Sequence, residues 1–198
     1  MAASTAAEIA AVAARLVVDE GMEYNAAKHK AARHLLRRRG AAADLPSTEQ
    51  VEDEVRAHLQ LFCADTQPAE LLALRRLALR WMERLAEFRP HLSGAVWRGT
   101  ATRLSAVHLD LYCDDPKSAE IGLINLGIHY DAAGADSQAG LQVLGLADRC
   151  PELDEPVTVY LVVCDRDDQR GALKPDSRGR SWRGDAAALR RLIDGAPA

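Results

Sequence analysis

The stretch VTVYLVVC, residues Val157–Cys164, decides the fold class of the C-terminal half. A near-continuous apolar run of this length, rich in β-branched residues, is typical of a strand buried within a sheet. The earlier stretch Ala106–Cys113 instead alternates apolar and polar residues, as a strand with one core face does. Its inward residues are predicted to be Val107, Leu109 and Leu111.

Further strands are predicted at Ser93–Gly99, Ile128–Asp131 and Leu141–Ala147. A helix should begin after Asp115, since Pro116 suits the first helical position, and should end at Gly127. The pattern therefore places a mixed sheet with flanking helices in the C-terminal half.

The N-terminal part has helical periodicity instead. A capping box beginning at Thr5 opens a first helix that Gly21 ends, and a second helix runs from Asn25 to Gly40. Residues 40–46 are interpreted as a linker.

Two more helices follow this linker. Ser47, with Gln50 three residues later, caps a third helix with Val51, Val55, Leu59 and Phe62 as its buried stripe. Pro68 lies in the first turn of a fourth helix, which Pro90 should end. We thus expect an α+β fold with a helical region at residues 1–66 and a sheet-containing core at 67–198.

Composition and charge narrow the function classes. The chain of 198 residues has a formal net charge of −4. The overall charge therefore does not favour nucleic acid as a partner. No apolar stretch approaches the roughly 20 residues of a membrane helix. The N-terminus lacks the basic start and apolar run of a secretion signal, and the four scattered cysteines fit reduced thiols. A cytoplasmic protein is expected.

Basic residues concentrate on the second predicted helix: Lys28, Lys30, Arg33, Arg37, Arg38 and Arg39. They could contact nucleic-acid phosphates, or they could simply form a solvated helix face, which we favour because no recognition helix can be singled out.

The segment from Ser93 to Leu109 carries a motif. Gly94, Arg98, Gly99, Ser105, Val107 and Leu109 fall on the spacing of the polymerase β-like nucleotidyltransferase signature, which the chain resembles over Arg89–Asp131. The whole chain is also similar to uncharacterised bacterial proteins that are grouped with nucleotidyltransferases. The resemblance implies a nucleotidyltransferase-like core with a nucleotide site near Gly94, Arg98, Gly99, Ser105 and His108.

The same resemblance implies that the family's chemistry is lost. Ala106 and His108 occupy the positions of the two magnesium-binding carboxylates, and Ala95 that of the family serine. Alanine cannot bind a metal, and histidine is a poor ligand for magnesium. We therefore expect no metal and no resident cofactor.

Other acids leave an alternative open. Asp110 shares a strand face with His108, while Asp114 and Asp165 lie at predicted strand ends. These relocated acids could serve an active transferase that uses magnesium or manganese. Structural roles are the simpler interpretation: a solvated or salt-bridged strand residue for Asp110 and ordinary strand-end positions for the others.

A polar segment, residues 165–184, contains six basic residues: Arg166, Arg170, Lys174, Arg178, Arg180 and Arg183. It could be a phosphate-binding flap or a flexible loop that pairs its own charges, and we favour the second interpretation. Cys113 and Cys164 end apolar strands, where buried packing is favoured over a reactive thiol.

The sequence thus predicts a non-catalytic protein that binds a nucleotide or another phosphorylated ligand. The helical half would associate with a protein partner or a second copy. The alternatives are the metal-dependent transferase, a nucleic-acid-associated regulator that uses the basic second helix, and a protein-binding scaffold that has no ligand.

Overall fold

A computed structural model of the protein describes residues 5–39, 45–136, 141–172, 174–176 and 178–195. The fold is α+β, as the sequence predicts, with N-terminal helices followed by a six-stranded mixed sheet. The chain forms two compact units: residues 5–68 with 100–105, and residues 69–99 with 106–195. The inclusion of residues 100–105 in the first unit has no counterpart in the sequence predictions.

Three helices build the first unit: α1 (Thr5–Glu20), α2 (Tyr24–Arg39) and α3 (Thr48–Phe62). Their apolar faces meet in one core that includes Ile9, Val17, Ala31, Val55 and Leu59. Burial of this face holds helices of 15 or 16 residues, which would be marginal alone. The predicted linker falls mostly on residues 40–44, which lie outside the described residues, as do the side chains of Arg37, Arg38 and Arg39.

The predicted cap of α3 is confirmed. Ser47 Oγ accepts a hydrogen bond from the Gln50 backbone N–H at 3.2 Å, and Gln50 Oε1 accepts one from the Ser47 backbone N–H at 2.8 Å. The predicted burial of Phe62 is wrong, since its side chain is 72% exposed at the last position of the helix.

We expect Ser47→Ala to lower the free energy of unfolding by about 1 kcal/mol, because it removes the acceptor of an otherwise unpaired helix N–H. Urea denaturation followed by circular dichroism measures the change. Ser47→Asp retains an acceptor and should stay within about 0.5 kcal/mol of the wild type. Equal losses for both variants would contradict a capping role.

The second unit begins within α4 (Gln67–Arg84), at Ala69, and the buried face of this helix includes Leu74, Leu77 and Trp81. The helix ends earlier than predicted, and a 3-10 turn at Ala86–Phe88 follows before Pro90. Trp81 Nε1 donates a hydrogen bond to Asp148 Oδ2 at 2.8 Å. No described helix combines the length and apolar content that a membrane crossing requires.

The sheet has the strand order β3-β4-β5-β2-β1-β6. Its strands are β1 (His91–Ser93), β2 (Val107–Cys113), β3 (Asp131–Asp136), β4 (Leu141–Cys150), β5 (Glu155–Asp165) and β6 (Arg183–Gly184). Of the five pairs of neighbouring strands in the described residues, β2 and β5 run parallel and the other four pairs run antiparallel. The strands predicted around residues 107–113, 141–147 and 157–164 are thus confirmed, and the run VTVYLVVC lies centrally in the sheet.

The remaining helices are α5 (Gly94–Arg98), α6 (Pro116–Asn125), α7 (Gln169–Ala172) and α8 (Ala186–Ile193). Both α6 and α8 begin at an aspartate N-cap. Asp115 Oδ1 accepts from the Lys117 backbone N–H at 2.9 Å, and Asp185 Oδ1 accepts from that of Ala188 at 2.8 Å.

Three strand and loop predictions need correction. The strand predicted at Ser93–Gly99 ends at Ser93, because Gly94 turns the backbone to φ +68° and α5 begins there. The strand predicted at Ile128–Asp131 instead begins at Asp131. The segment 165–184, predicted as a plain loop, contains a 3-10 turn, α7 and β6.

Candidate functional site

The strand registers align four polar side chains across one face of the sheet. Ser93 on β1 is directly opposite Arg183 on β6 and His108 on β2, and His108 is in register with Tyr160 on β5. Directly opposite residues share a sheet face, and neighbouring strands lie about 4.8 Å apart. Arg183, Ser93, His108 and Tyr160 therefore form a row about 14 Å long, which we name the polar row.

Each member of the polar row is half-buried. The rings of His108 and Tyr160 are tilted against each other with centroids 5.2 Å apart. The row thus combines a cation, a hydroxyl, an imidazole and an aromatic ring on a surface that solvent still reaches.

Gly94 brings the start of α5 against this row. A Cβ added at Gly94 would lie 3.4 Å from His108 Cδ2, and its φ of +68° favours glycine in any case. The motif glycine and His108, which stands where the second metal carboxylate would be, are therefore adjacent.

A buried network lies one step along the strands from the polar row. Asp110 is opposite His91 in register, and its side chain is only 8% exposed. Arg183 reaches across β1 so that its Nη1 lies 2.8 Å from Asp110 Oδ2 and also donates to the Tyr112 hydroxyl at 2.8 Å. Alternation along β2 predicts Asp110 and Tyr112 on the outward face of the strand, but both side chains are buried and both contact Arg183.

This network changes the ionisation of its members. Burial raises the pKa of Asp110, although the charge of Arg183 and a 3.4 Å hydrogen bond from Ser93 Oγ oppose the rise. Burial lowers the pKa of Arg183, but the charge of Asp110 and the Tyr112 hydrogen bond outweigh it and raise the pKa. The two groups thus favour each other's charged form.

Two polar atoms of the Asp110–Arg183 pair lack a hydrogen bond within the residues described. Asp110 Oδ2 and Arg183 Nε are both buried and have no hydrogen-bond partner in the described part of the chain. The short Asp110–Arg183 contact is therefore an ion pair without hydrogen-bond geometry at that oxygen.

The predicted ligand residues do not all converge. Arg98 is buried, since its guanidinium lies over the Trp182 ring and its Nη2 lies 3.2 Å from Asp176 Oδ2. Gly99 ends α5 at φ +79°. Ser105 belongs to the other compact unit, where its Oγ accepts from the Thr102 backbone N–H at 3.0 Å. Only Gly94 and His108 of the predicted set lie together at the polar row.

Asp176 is the centre of the pairing within the 165–184 segment. Burial opposes its ionisation, but the backbone N–H groups of Arg180 and Arg178 and the Arg98 guanidinium lower its pKa to about 2. Trp97 Nε1 donates to the Ser181 carbonyl at 2.9 Å, and Pro175 bridges to Ser181. These contacts fix the backbone that leads into Arg183.

Of the candidate catalytic acids, Asp114 and Asp165 lie at the same end of the neighbouring strands β2 and β5, whereas Asp110 lies apart from them. Asp114 follows β2 and forms an exposed pair with Arg166 at 3.0 Å, while Asp165 accepts from the Asp167 backbone N–H at 2.8 Å. At about 3.3 Å per strand residue, Asp114 lies about 13 Å along the chain from Asp110. Among the residues that the structure describes, no three His, Cys, Asp or Glu side chains could hold a metal ion.

The thiols at the strand ends are buried. Burial is the main reason that the pKa of Cys164 rises to about 12, and it also raises the pKa of Cys113. Both cysteines are free, and a thiol with a raised pKa is a poor nucleophile at neutral pH.

Sequence reasoning grouped Arg183 with five other basic residues and did not single out Tyr160. The available signals were the position of Arg183 just before the Gly184-Asp185 helix start and the single aromatic residue within VTVYLVVC.

A comparison with protein-family models, curated proteins and solved structures finds no match to the chain. The nucleotidyltransferase resemblance therefore stays a prediction that rests on the motif.

Proposed function

We propose that the protein binds a nucleotide or another phosphorylated ligand at the polar row and does not transfer nucleotides. The observation that supports this proposal is the close approach of Gly94 to His108, which leaves little room for a Cβ at position 94. In the family that the motif resembles, a glycine turn and the carboxylate strand together form the nucleotide site. Here the turn lies beside a histidine, which supports a ligand site at this position without the metal-binding carboxylates.

The side chains of the polar row suit such a ligand. The guanidinium of Arg183 can donate to phosphate oxygens, and the hydroxyl of Ser93 and the imidazole of His108 are further hydrogen-bonding groups. Tyr160 offers a half-buried ring on which a planar base can stack.

Nucleotidyl transfer by the relocated acids is the weaker proposal. It needs Asp110, Asp114 and Asp165 to share metal ions whose ligands lie within about 2.6 Å of each ion. Asp110 is held by Arg183, and Asp114 lies about 13 Å further along the strand direction. Association of the helical unit with a partner protein or a second copy stays a prediction from the sequence.

Isothermal titration with ATP, CTP, GTP and UTP tests the proposal. We expect binding in EDTA that magnesium or manganese changes by less than about threefold. His108→Ala should weaken it about tenfold, the usual loss for one hydrogen bond to a charged group. His129→Ala, a change at an exposed histidine, is the matched control and should leave binding unchanged.

Two outcomes would count against the proposal. Failure of all four nucleotides to bind at millimolar concentration would remove it. Binding that requires a metal ion would instead favour the transferase alternative, since carboxylates must then take part.

A further inference from the structure

Arg183 is held at one end of its guanidinium. Nη1 donates to the Tyr112 hydroxyl and is also the nitrogen beside Asp110 Oδ2. A purely structural arginine–carboxylate pair commonly uses two parallel N–H···O bonds, one from each side of the fork. Here Asp110 and Tyr112 share a single nitrogen.

The second terminal nitrogen of the guanidinium, Nη2, is not used by Asp110 or Tyr112. Within the described residues, neither hydrogen of Arg183 Nη2 has a hydrogen-bond partner, and the side chain is 31% exposed. Nε is buried, so it does not account for that exposure. Arg183 therefore combines an anchored Nη1 with a partly exposed side chain at the β6 end of the polar row, and its Nη2 has no partner among the described residues.

The backbone before Arg183 is also fixed in place. Asp176 accepts hydrogen bonds from Arg98 Nη2 at 3.2 Å and from the Arg180 backbone N–H at 2.8 Å. The Ser181 carbonyl accepts from Trp97 Nε1 at 2.9 Å. An anion contact whose donor is held before binding loses less side-chain entropy on binding.

We propose that Arg183 is the phosphate-binding residue of the polar row, with Asp110 and Tyr112 as its positioning residues, and that the ligand is a nucleoside phosphate. The inference rests on the proposed function and adds an orientation to it. The phosphate lies at Arg183 and Ser93, and the base lies at Tyr160, three strands away along the row. Arg98, which the motif assigned to the ligand, instead positions the segment that carries Arg183.

Titration of the full chain with pyrophosphate, ATP and adenosine in EDTA tests this orientation. Arg183→Gln should weaken pyrophosphate and ATP binding about 10- to 100-fold, as expected for losing charge-assisted hydrogen bonds, and change adenosine binding less than about twofold. Tyr160→Ala should show the opposite pattern, with adenosine and ATP weakened about tenfold and pyrophosphate unaffected.

Two additional variants separate binding from folding. Arg183→Lys keeps the charge beside Asp110 but lacks the fork, so it should remain folded and still lose about tenfold in ATP affinity. Arg190→Gln, which removes an exposed arginine paired with Glu83 on the same unit, is the matched control and should bind like the wild type.

The outcomes distinguish the two proposals. Wild-type binding of ATP and pyrophosphate that Arg183→Lys and Arg183→Gln leave within about twofold would overturn the role of Arg183 and leave the proposed function standing. Wild-type protein that binds none of the three probes would remove the proposed function itself. Equal loss of adenosine and pyrophosphate in Arg183→Gln would overturn the orientation.

Discussion

Gly184→Ala is expected to lower the free energy of unfolding by about 3 kcal/mol, the upper part of the usual range for overpacking. A methyl group at Gly184 would overlap three ring atoms of Trp97. The indole cannot easily move away, because its Nε1 donates to the Ser181 carbonyl and the side chain is buried. Urea denaturation followed by tryptophan fluorescence and circular dichroism measures the loss.

A double variant isolates the steric cause. Trp97→Leu removes the ring that the new methyl would meet, so Gly184→Ala should cost less than about 1 kcal/mol in that background. Gly127→Ala is a useful control, since its left-handed φ of +67° adds strain but no atom lies within 4 Å of the new Cβ. A Gly184→Ala protein as stable as the wild type would show that β6 is not packed against Trp97.

Local signals in the sequence were sufficient for the long helices and the long strands, but not for the short helices α5 and α7. The Ser47–Gln50 capping box, the Asp115-Pro116 start and the Asp185 cap each satisfy helix N–H groups within four residues, so they can be recognised without knowing the fold. The same is true of VTVYLVVC, whose residues form the central strand β5.

The environment of a strand face was less predictable, because it depends on distant residues. Alternation suggested that Asp110 and Tyr112 face solvent, whereas an arginine more than 70 positions later buries both. Conversely, the run of apolar residues in β5 suggested burial on both faces, yet Tyr160 and Val162 are only half-buried. Burial on the second face depends on which loop returns to the sheet, and no local pattern records that.

The candidate site likewise contains residues that the motif predicted and residues whose position depends on distant parts of the chain. Gly94 and His108, which are 14 positions apart in the segment from β1 to β2, lie close together, and both belong to the ligand set that the motif predicts. The position of Arg183 requires β6 to pair with β1. Because β6 has only two residues, it is too short to leave a periodic signal in the sequence. Arg98 and Ser105 also satisfied the motif spacing, but Arg98 pairs with Asp176 of the distant 165–184 segment, and Ser105 bonds locally to Thr102.

Removing the charge of Arg183 is expected to destabilise the fold strongly at neutral pH. Arg183→Met retains an apolar stem of similar length but leaves the Asp110 carboxylate, nine-tenths buried, without its cation. Breaking a buried pair from one side costs about 3 kcal/mol or more. We expect a loss of about 3 kcal/mol at pH 7 in urea denaturation.

The sign of the pH dependence provides a sharper test. Burial already raises the pKa of Asp110 above its ordinary value of about 3.9, and loss of Arg183 raises it further. A group whose pKa is higher in the folded state contributes stability below its unfolded pKa and loses that contribution as pH rises through the folded pKa. The destabilisation of Arg183→Met relative to the wild type should therefore be small near pH 4 and grow toward pH 7.

The double variant Asp110→Asn with Arg183→Met tests whether Asp110 is the titrating group. With no carboxylate at position 110, its stability relative to Asp110→Asn alone should vary little between pH 4 and pH 7. If Arg183→Met alone were equally destabilised at both pH values, lost packing of the arginine stem, rather than the unpaired carboxylate, would explain the effect. In that case Asp110 would not be the group that fixes Arg183 at the polar row.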